Sequence, residues 1–266
     1  MEKQLRTLLA IDDEPVILDA IQRVCSAEGW HVDTVTGATE GLELARKKSY
    51  DLCLCDIMLP DMDGFQFLEK LHESGIDLAV IMTTGFATIE NAVKSLDMGA
   101  IDYLPKPFTA DEVLSALYRG FRYVDLKRRH EENTAQVDSI IVPCPTQYRH
   151  LGYQSWMHLD FDGSVKVGAT YLFLAVIGSV KSIKLQPLEA EIIQGFSCAE
   201  FEAEDELIHQ LMAPISGQII RINEQLKDEP SILEKDPYFE GWLYVVVPKD
   251  LNYELKYVSG CHNIFA

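Results

Sequence analysis

The stretch Leu52-Cys53-Leu54-Cys55-Asp56-Ile57-Met58-Leu59-Pro60 decides the fold of the first half of the chain. Leu52 to Cys55 is apolar without alternation, the pattern of a strand covered on both faces of a parallel sheet, and it stops at a carboxylate, Asp56. The same unit recurs on either side. Leu5 to Ile11 holds the apolar run Leu8-Leu9-Ala10-Ile11, which predicts a strand ending at Asp12-Asp13. Pro15 then suits the first turn of a helix reaching about Glu28. His31 to Thr36 reads as a strand and Thr39 to Lys48 as a helix. Beyond Asp56, Gly64 to Glu73 reads as a helix, Leu78 to Thr83 as a strand and Ile89 to Met98 as a helix. Ile101 to Leu104 is a short strand, and Ala110 to about His130 a long helix. Strands alternating with helices in this way predict an α/β fold, a doubly wound five-stranded parallel sheet.

In such a sheet the functional crevice lies beyond the carboxyl ends of the strands. Strand one ends in Asp12 and Asp13, strand three in Asp56 and strand four in Thr83-Thr84-Gly85, while strand five leads into Lys106-Pro107. Three carboxylates on one rim raise each other's pKa unless a cation neutralises them. Hard oxygen ligands suit Mg²⁺, and a lysine and a hydroxyl beside the same point suit a phosphoryl group. The residues therefore predict Mg²⁺-assisted phosphoryl chemistry on a carboxylate. Cys53 and Cys55 sit on the buried strand and read as core thiols.

Residues 1 to about 122 resemble a flavodoxin-like receiver domain of two-component response regulators. The matching pieces are Ile11-Asp12-Asp13-Glu14, Asp56-Ile57-Met58-Leu59-Pro60, Asp63-Gly64, Thr84-Gly85 and Lys106-Pro107-Phe108. The resemblance implies that Asp56 is the phosphoacceptor and that Asp12, Asp13, Asp56 and the backbone carbonyl of Met58 hold Mg²⁺, with Asp13 a direct ligand. It also implies that Thr84 and Lys106 contact the phosphoryl group, that Tyr103 is the switch aromatic and that the Lys106-Pro107 bond is cis. A sensor histidine kinase is the implied donor. A homodimer through the face of helix four, strand five and helix five is the implied response. Met58 and Phe86 stand two residues after Asp56 and Thr84, where receiver side chains screen the attacking water. Both are apolar, so slow loss of the phosphoryl group is expected.

The last receiver helix carries apolar positions from Val113 to Leu126, past the usual domain edge. The reading is a receiver over residues 1–125, a helical extension and linker over 126–139 and a second domain over 140–266. There the pattern changes to short strands punctuated by Gly and Pro. Trp156 to Phe161, Asp162-Gly163 and Ser164 to Val167 read as a hairpin. A small mainly-β fold with one helix follows.

Residues 150 to about 250 resemble the H protein of the glycine cleavage system, a lipoyl-type barrel-sandwich hybrid. The resemblance rests on Ala213-Pro214-Ile215-Ser216-Gly217, Ile219 to Glu224, Glu229-Pro230, Asp236-Pro237-Tyr238 and Glu240-Gly241-Trp242-Leu243. H proteins carry lipoyl on a lysine at a fixed distance before the Pro-Ile-Ser-Gly turn, and that position is Glu206 here. A carboxylate cannot form the lipoyl amide, which needs an amine nucleophile. The fold is expected without the carrier chemistry, as an output domain with a protein target. Glu200, Glu202, Glu204, Asp205 and Glu206 make its hairpin tip acidic, which reads as a solvated face. Cys144, His150, Cys198, His209, Cys261 and His262 have irregular spacing and read as core or surface residues rather than metal ligands.

Composition narrows the remaining classes. The 266 residues carry 42 acidic against 23 basic side chains, a net charge of -19, which opposes nucleic-acid binding. The basic run Lys127-Arg128-Arg129 reads as the positive end of a helix. The longest apolar run, Tyr171 to Ile177, is far shorter than a membrane span. The six cysteines read as reduced cytosolic thiols. The expectation is a cytoplasmic response regulator, not an enzyme, without nucleic-acid or membrane partners. A regulated lipoyl-carrier-like metabolic protein and an atypical transcriptional regulator are the alternatives.

Overall fold

A computed structural model describes residues 6–132 and 142–261. Leu5, the polar stretch Asn133 to Ser139, Ile140 and His262 lie outside the described residues. The chain forms two compact units, with the main division in sequence after Asp125.

In the first unit the predicted alternation is present. It runs β1 (Thr7–Ile11), α1 (Pro15–Glu28), β2 (His31–Val35), α2 (Ala38–Lys47), β3 (Leu52–Asp56), α3 (Gly64–Glu73), β4 (Ala79–Thr84), α4 (Ile89–Asp97), β5 (Asp102–Pro105) and α5 (Ala110–Glu132). The strands pair in parallel in the order β2-β1-β3-β4-β5. Every residue of β3 is buried, as an apolar central strand requires. Ile11 pairs with Cys55, Asp56 with Thr83 and Thr84 with Pro105. This register brings the last residues of β1, β3, β4 and β5 to one rim, and the switch in strand order falls between β1 and β3.

Local signals set the helix ends. Pro15 occupies the first turn of α1, and Gly29 ends that helix at φ 73°. Asp63 and Gln66 form a reciprocal capping box at the start of α3. Gly64 lies so close to the strand behind it that a Cβ there would sit 2.5 Å from the Asp56 carbonyl oxygen. Its hydrogen alone lets α3 begin directly behind β3.

The second unit is mainly β. Its elements are β6 (Arg149–Leu151), β7 (Ser155–Leu159), β8 (Val165–Ala169), α6 (Tyr171–Ile177), β9 (Val180–Leu185), β10 (Glu191–Ile192), β11 (Ser197–Ala203), β12 (Ile208–Met212) and β13 (Gly217–Ile222). They continue through α7 (Gln225–Asp228), α8 (Ile232–Lys235), β14 (Trp242–Pro248), α9 (Leu251–Glu254), a 3₁₀ turn over Leu255–Tyr257 and β15 (Ser259–Gly260). A seven-stranded sheet, β10-β13-β14-β8-β7-β6-β15, and a three-stranded sheet, β12-β11-β9, make the barrel-sandwich. Trp156, Phe173, Phe201, Leu243 and Tyr244 are among the side chains filling its core. The expected hairpin is β7–β8, closed by Asp160 N–H donating to the Ser164 carbonyl.

Two expectations are corrected. The second unit holds several short helices rather than one. The longest is α6, the very run read only as apolar. It carries no polar face to reveal a 3.6-residue period, and its sequence signal is the Thr170 N-cap, which accepts from the Phe173 N–H at 3.1 Å. The cysteines are also not all thiols. Cys144 and Cys261 form a disulfide with Cα atoms 5.5 Å apart, and their separation of 117 positions left no spacing to read. Cys25, Cys53, Cys55 and Cys198 are free and buried, as core thiols should be.

Candidate functional site

The rim of the parallel sheet gathers the residues named from the sequence. Asp12 and Asp56 are 2% and 3% exposed, while Asp13 is exposed. Carboxylate oxygens of Asp12, Asp13 and Asp56 lie within 4.8 Å of one another. The Lys106 ammonium stands between them, 2.6 Å from Asp56 Oδ2 and 2.7 Å from Asp12 Oδ2. Lys106 reaches this point from the loop after β5, where its backbone N–H donates to the Thr84 carbonyl at 2.8 Å and its bond to Pro107 is cis.

The remaining lone pairs are held by backbone donors. Met58 N–H donates to Asp56 Oδ1 at 3.0 Å, and Glu14 N–H to Asp12 Oδ1 at 3.0 Å. These bonds fix both carboxylate planes before any ligand arrives. Burial raises the Asp12 pKa, with the hydrogen bond from Lys106 opposing the rise. Burial pulls the Lys106 ammonium down, but hydrogen bonds to Asp12 and Asp56 outweigh it, so Lys106 titrates above its ordinary value. The site is thus an ionised lysine bridging two buried carboxylates, with a third carboxylate at the mouth.

Thr84 is buried, and its Oγ1 accepts from the Phe86 N–H at 3.1 Å. Tyr103 is buried on β5, its hydroxyl makes no hydrogen bond among the described residues, and burial pushes its pKa up to about 12. Met58 and Phe86, on the loops that follow β3 and β4, are 53% and 67% exposed.

One contact escaped the sequence reading. Glu14 Oε1 lies 3.2 Å from Lys106 Nζ, a third carboxylate on the same ammonium. Its signal was the acidic run Asp12-Asp13-Glu14, in which only the first two were given a role.

Residues 8–118 match the response regulator receiver domain family, and residues 147–262 match the glycine cleavage H-protein family. The chain joins a response regulator receiver domain to a glycine cleavage H-like domain. The receiver is 37% identical over 124 residues to the transcriptional regulatory protein DltR of Streptococcus agalactiae, covering 47% of this chain and 55% of that protein. The match therefore spans about half the length of that curated relative. A receiver domain protein from Methanospirillum hungatei is 35% identical, with a TM-score of 0.45, covering 47% of this chain and 99% of that one. An H protein from Mycobacterium marinum is 31% identical, with a TM-score of 0.38, covering 40% of this chain and 87% of that one.

In the H-like domain Glu206 is exposed at the tip of the β11–β12 hairpin, with a left-handed backbone at φ 65°. The tip is closed by Glu206 N–H donating to the Ala203 carbonyl and Leu207 N–H donating to Asp205 Oδ1. Among the described residues the cysteine and histidine candidates form no metal-ligating group. Cys144 and Cys261 are bonded to each other, Cys198 and His209 are buried, and burial lowers the His150 pKa toward the neutral ring. No helix among the described residues is long and apolar enough to cross a membrane.

Proposed function

We propose that the chain is a two-component response regulator whose Asp56 accepts a phosphoryl group from a sensor histidine kinase, with the H-like domain as a non-lipoylated output module. The observation that carries this is Lys106 Nζ within 2.7 Å of both Asp56 and Asp12, with three carboxylates converging on one point. That donor set fits Mg²⁺, since all its ligand atoms are hard oxygens and their charge exceeds what one lysine neutralises. Asp12, Asp13, Asp56 and the Met58 carbonyl would hold the ion, which offsets charge on the transferring phosphoryl group when bound.

The rest of the chemistry belongs to side chains on the rim. A carboxylate oxygen of Asp56, already oriented by Met58 N–H, attacks the phosphorus, and the kinase histidine leaves with the bonding electron pair. Lys106 is pre-placed to pair with the new phosphoryl oxygens. The Thr84 hydroxyl accepts from Phe86 N–H, which leaves its own proton to donate to a phosphoryl oxygen. Thr84 and Tyr103 are the elements that read this change. The resulting population shift alters the face of α4, β5 and α5, through which a homodimer forms.

The output is protein contact in the cytoplasm, without turnover of a substrate. Glu206 supplies no amine for a lipoyl amide, which disfavours the carrier alternative. The transcriptional naming of the relative belongs to a protein matched only over its receiver half, and a net charge of -19 opposes DNA. Acetyl phosphate with Mg²⁺ is expected to label the wild type and not Asp56→Ala. Equal labelling of the two overturns the proposal.

A further inference from the structure

The disulfide closes the H-like domain at one particular place. Cys144 is the residue at which the chain, arriving from the receiver through residues 133–141, becomes covalently fixed to that domain. Cys261 directly follows β15, a two-residue strand at the edge of the seven-stranded sheet. Non-covalently, this end is held by a short strand pairing and by the buried side chain of Val258. β15 pairs with β6 only through Ser259 opposite His150 and Gly260 opposite Arg149, with Cys261 N–H on the Tyr148 carbonyl at 3.3 Å and an Arg149 guanidinium on the Val258 carbonyl at 3.3 Å. The disulfide is the covalent hold on this edge.

The surroundings carry their own hydrogen bonds. Cys144 and Cys261 are 7% and 8% exposed and lie against Tyr148, Trp156 and Tyr238. Trp156 Nε1–H donates to the Pro237 carbonyl at 3.1 Å, and Tyr148 O–H to the Tyr238 carbonyl at 3.1 Å. Tyr171 N–H donates to Tyr238 Oη at 3.2 Å. None of these three hydrogen bonds uses a cysteine atom as donor or acceptor. The four other cysteines are buried free thiols, and burial raises the pKa of each, so none competes as a nucleophile.

We propose that Cys144 and Cys261 form a reversible redox clasp, a modification site that a dithiol reductant opens while the H-like barrel stays folded. A thiolate of the reductant attacks one sulfur, forming a mixed disulfide and releasing the other cysteine as a thiolate, which takes a proton. The reductant's second thiolate then resolves the mixed disulfide. Two electrons and two protons pass to the protein, and the reductant leaves as its own disulfide. Opening frees β15 and releases Cys144 from its covalent anchor in the barrel. The sensing role rests on the cytoplasmic two-component reading, because in a reducing compartment a disulfide is transient rather than a permanent staple. The opening chemistry itself is independent of that reading.

The test is native alkylation of the oxidised full-length protein with and without dithiothreitol, read by intact mass and peptide mapping, with hydrogen exchange on the same samples. The expected result is no alkylation before reduction and two adducts afterwards, on Cys144 and Cys261 alone. Amides of residues 259–261 should exchange about tenfold or more faster while β8 and β14 keep their protection. A Cys144→Ser/Cys261→Ser double variant should show the fast exchange without reductant. Adducts before reduction, no adducts after it, adducts on the buried thiols or loss of protection throughout β8 and β14 would each overturn the clasp. Phosphoryl labelling of Asp56 plays no part in these readouts, so the two proposals fail separately.

Discussion

Lys106 is the residue on which the site turns, because it is the shared counterion of two buried carboxylates. Removing it as Lys106→Met leaves Asp12 and Asp56 buried against each other without their shared counterion. The expected cost is about 3 kcal/mol, the usual scale for breaking a buried pair from one side, measured by urea unfolding at neutral pH. Added Mg²⁺ should restore part of that loss, since an ion that binds only the folded state stabilises it. The same variant should take up phosphoryl groups poorly. A second prediction concerns Met58 and Phe86, both exposed and apolar on the loops after β3 and β4. Neither positions a water molecule, so phospho-Asp56 is expected to last minutes or longer, and Met58→Asn to shorten that lifetime when the decay is followed by intact mass. A wild-type lifetime of seconds contradicts the screening role. At this scale the polar ends of the strands were legible in the sequence, because each follows an apolar run. The part of Glu14 was not, because the acidic run Asp12-Asp13-Glu14 does not say which of its side chains turns back toward Lys106.

At the scale of elements, the loop after β3 also caps α2. Asp61 accepts from Ala38 N–H at 3.1 Å and Thr39 N–H at 2.8 Å. Burial opposes ionisation, but the bonds from Thr39 and Ala38 outweigh it and hold the Asp61 pKa at about 2, below the ordinary 3.8. A folded pKa below the unfolded one means stabilisation that is present above the ordinary value and lost as pH falls toward 2. Asp61→Ala should therefore cost about 0.5–1 kcal/mol at neutral pH, a cap discounted for its exposure. The difference in thermal midpoint between variant and wild type should narrow as the pH drops below 4 toward 2. The β11–β12 hairpin supplies another prediction. Its tip keeps the exposed turn in which Glu206 stands where the resemblance to H proteins expects a lysine. Glu206→Lys, co-expressed with a lipoyl ligase, should gain a lipoyl-sized adduct that the wild type lacks. An adduct on the wild type would restore the carrier alternative.

Legibility of the elements followed contrast. The receiver strands and helices lie close to their predicted limits because apolar runs and caps alternate along the chain. α6 was hidden by being apolar throughout, and the two-residue strands β10 and β15 are too short for any period to register. The bond between Cys144 and Cys261 is a property of the closed fold, which no local pattern encodes.

For the molecule as a whole, two units of different architecture divide the work. One carries a charged rim at the switch point of a parallel sheet, and the other is an H-like barrel-sandwich whose Glu206 stands where the resemblance to H proteins expects a lysine. The net charge of -19 opposes a DNA-binding output and favours the proposed one through protein contacts. All of this depends on where the phosphoryl group goes. The most direct measurement is borohydride trapping of the acyl phosphate after incubation with acetyl phosphate and Mg²⁺, followed by peptide mapping of the full-length protein. The account predicts a single reduced residue at position 56. Trapping at any other carboxylate, or equal trapping in Asp56→Ala, would contradict it.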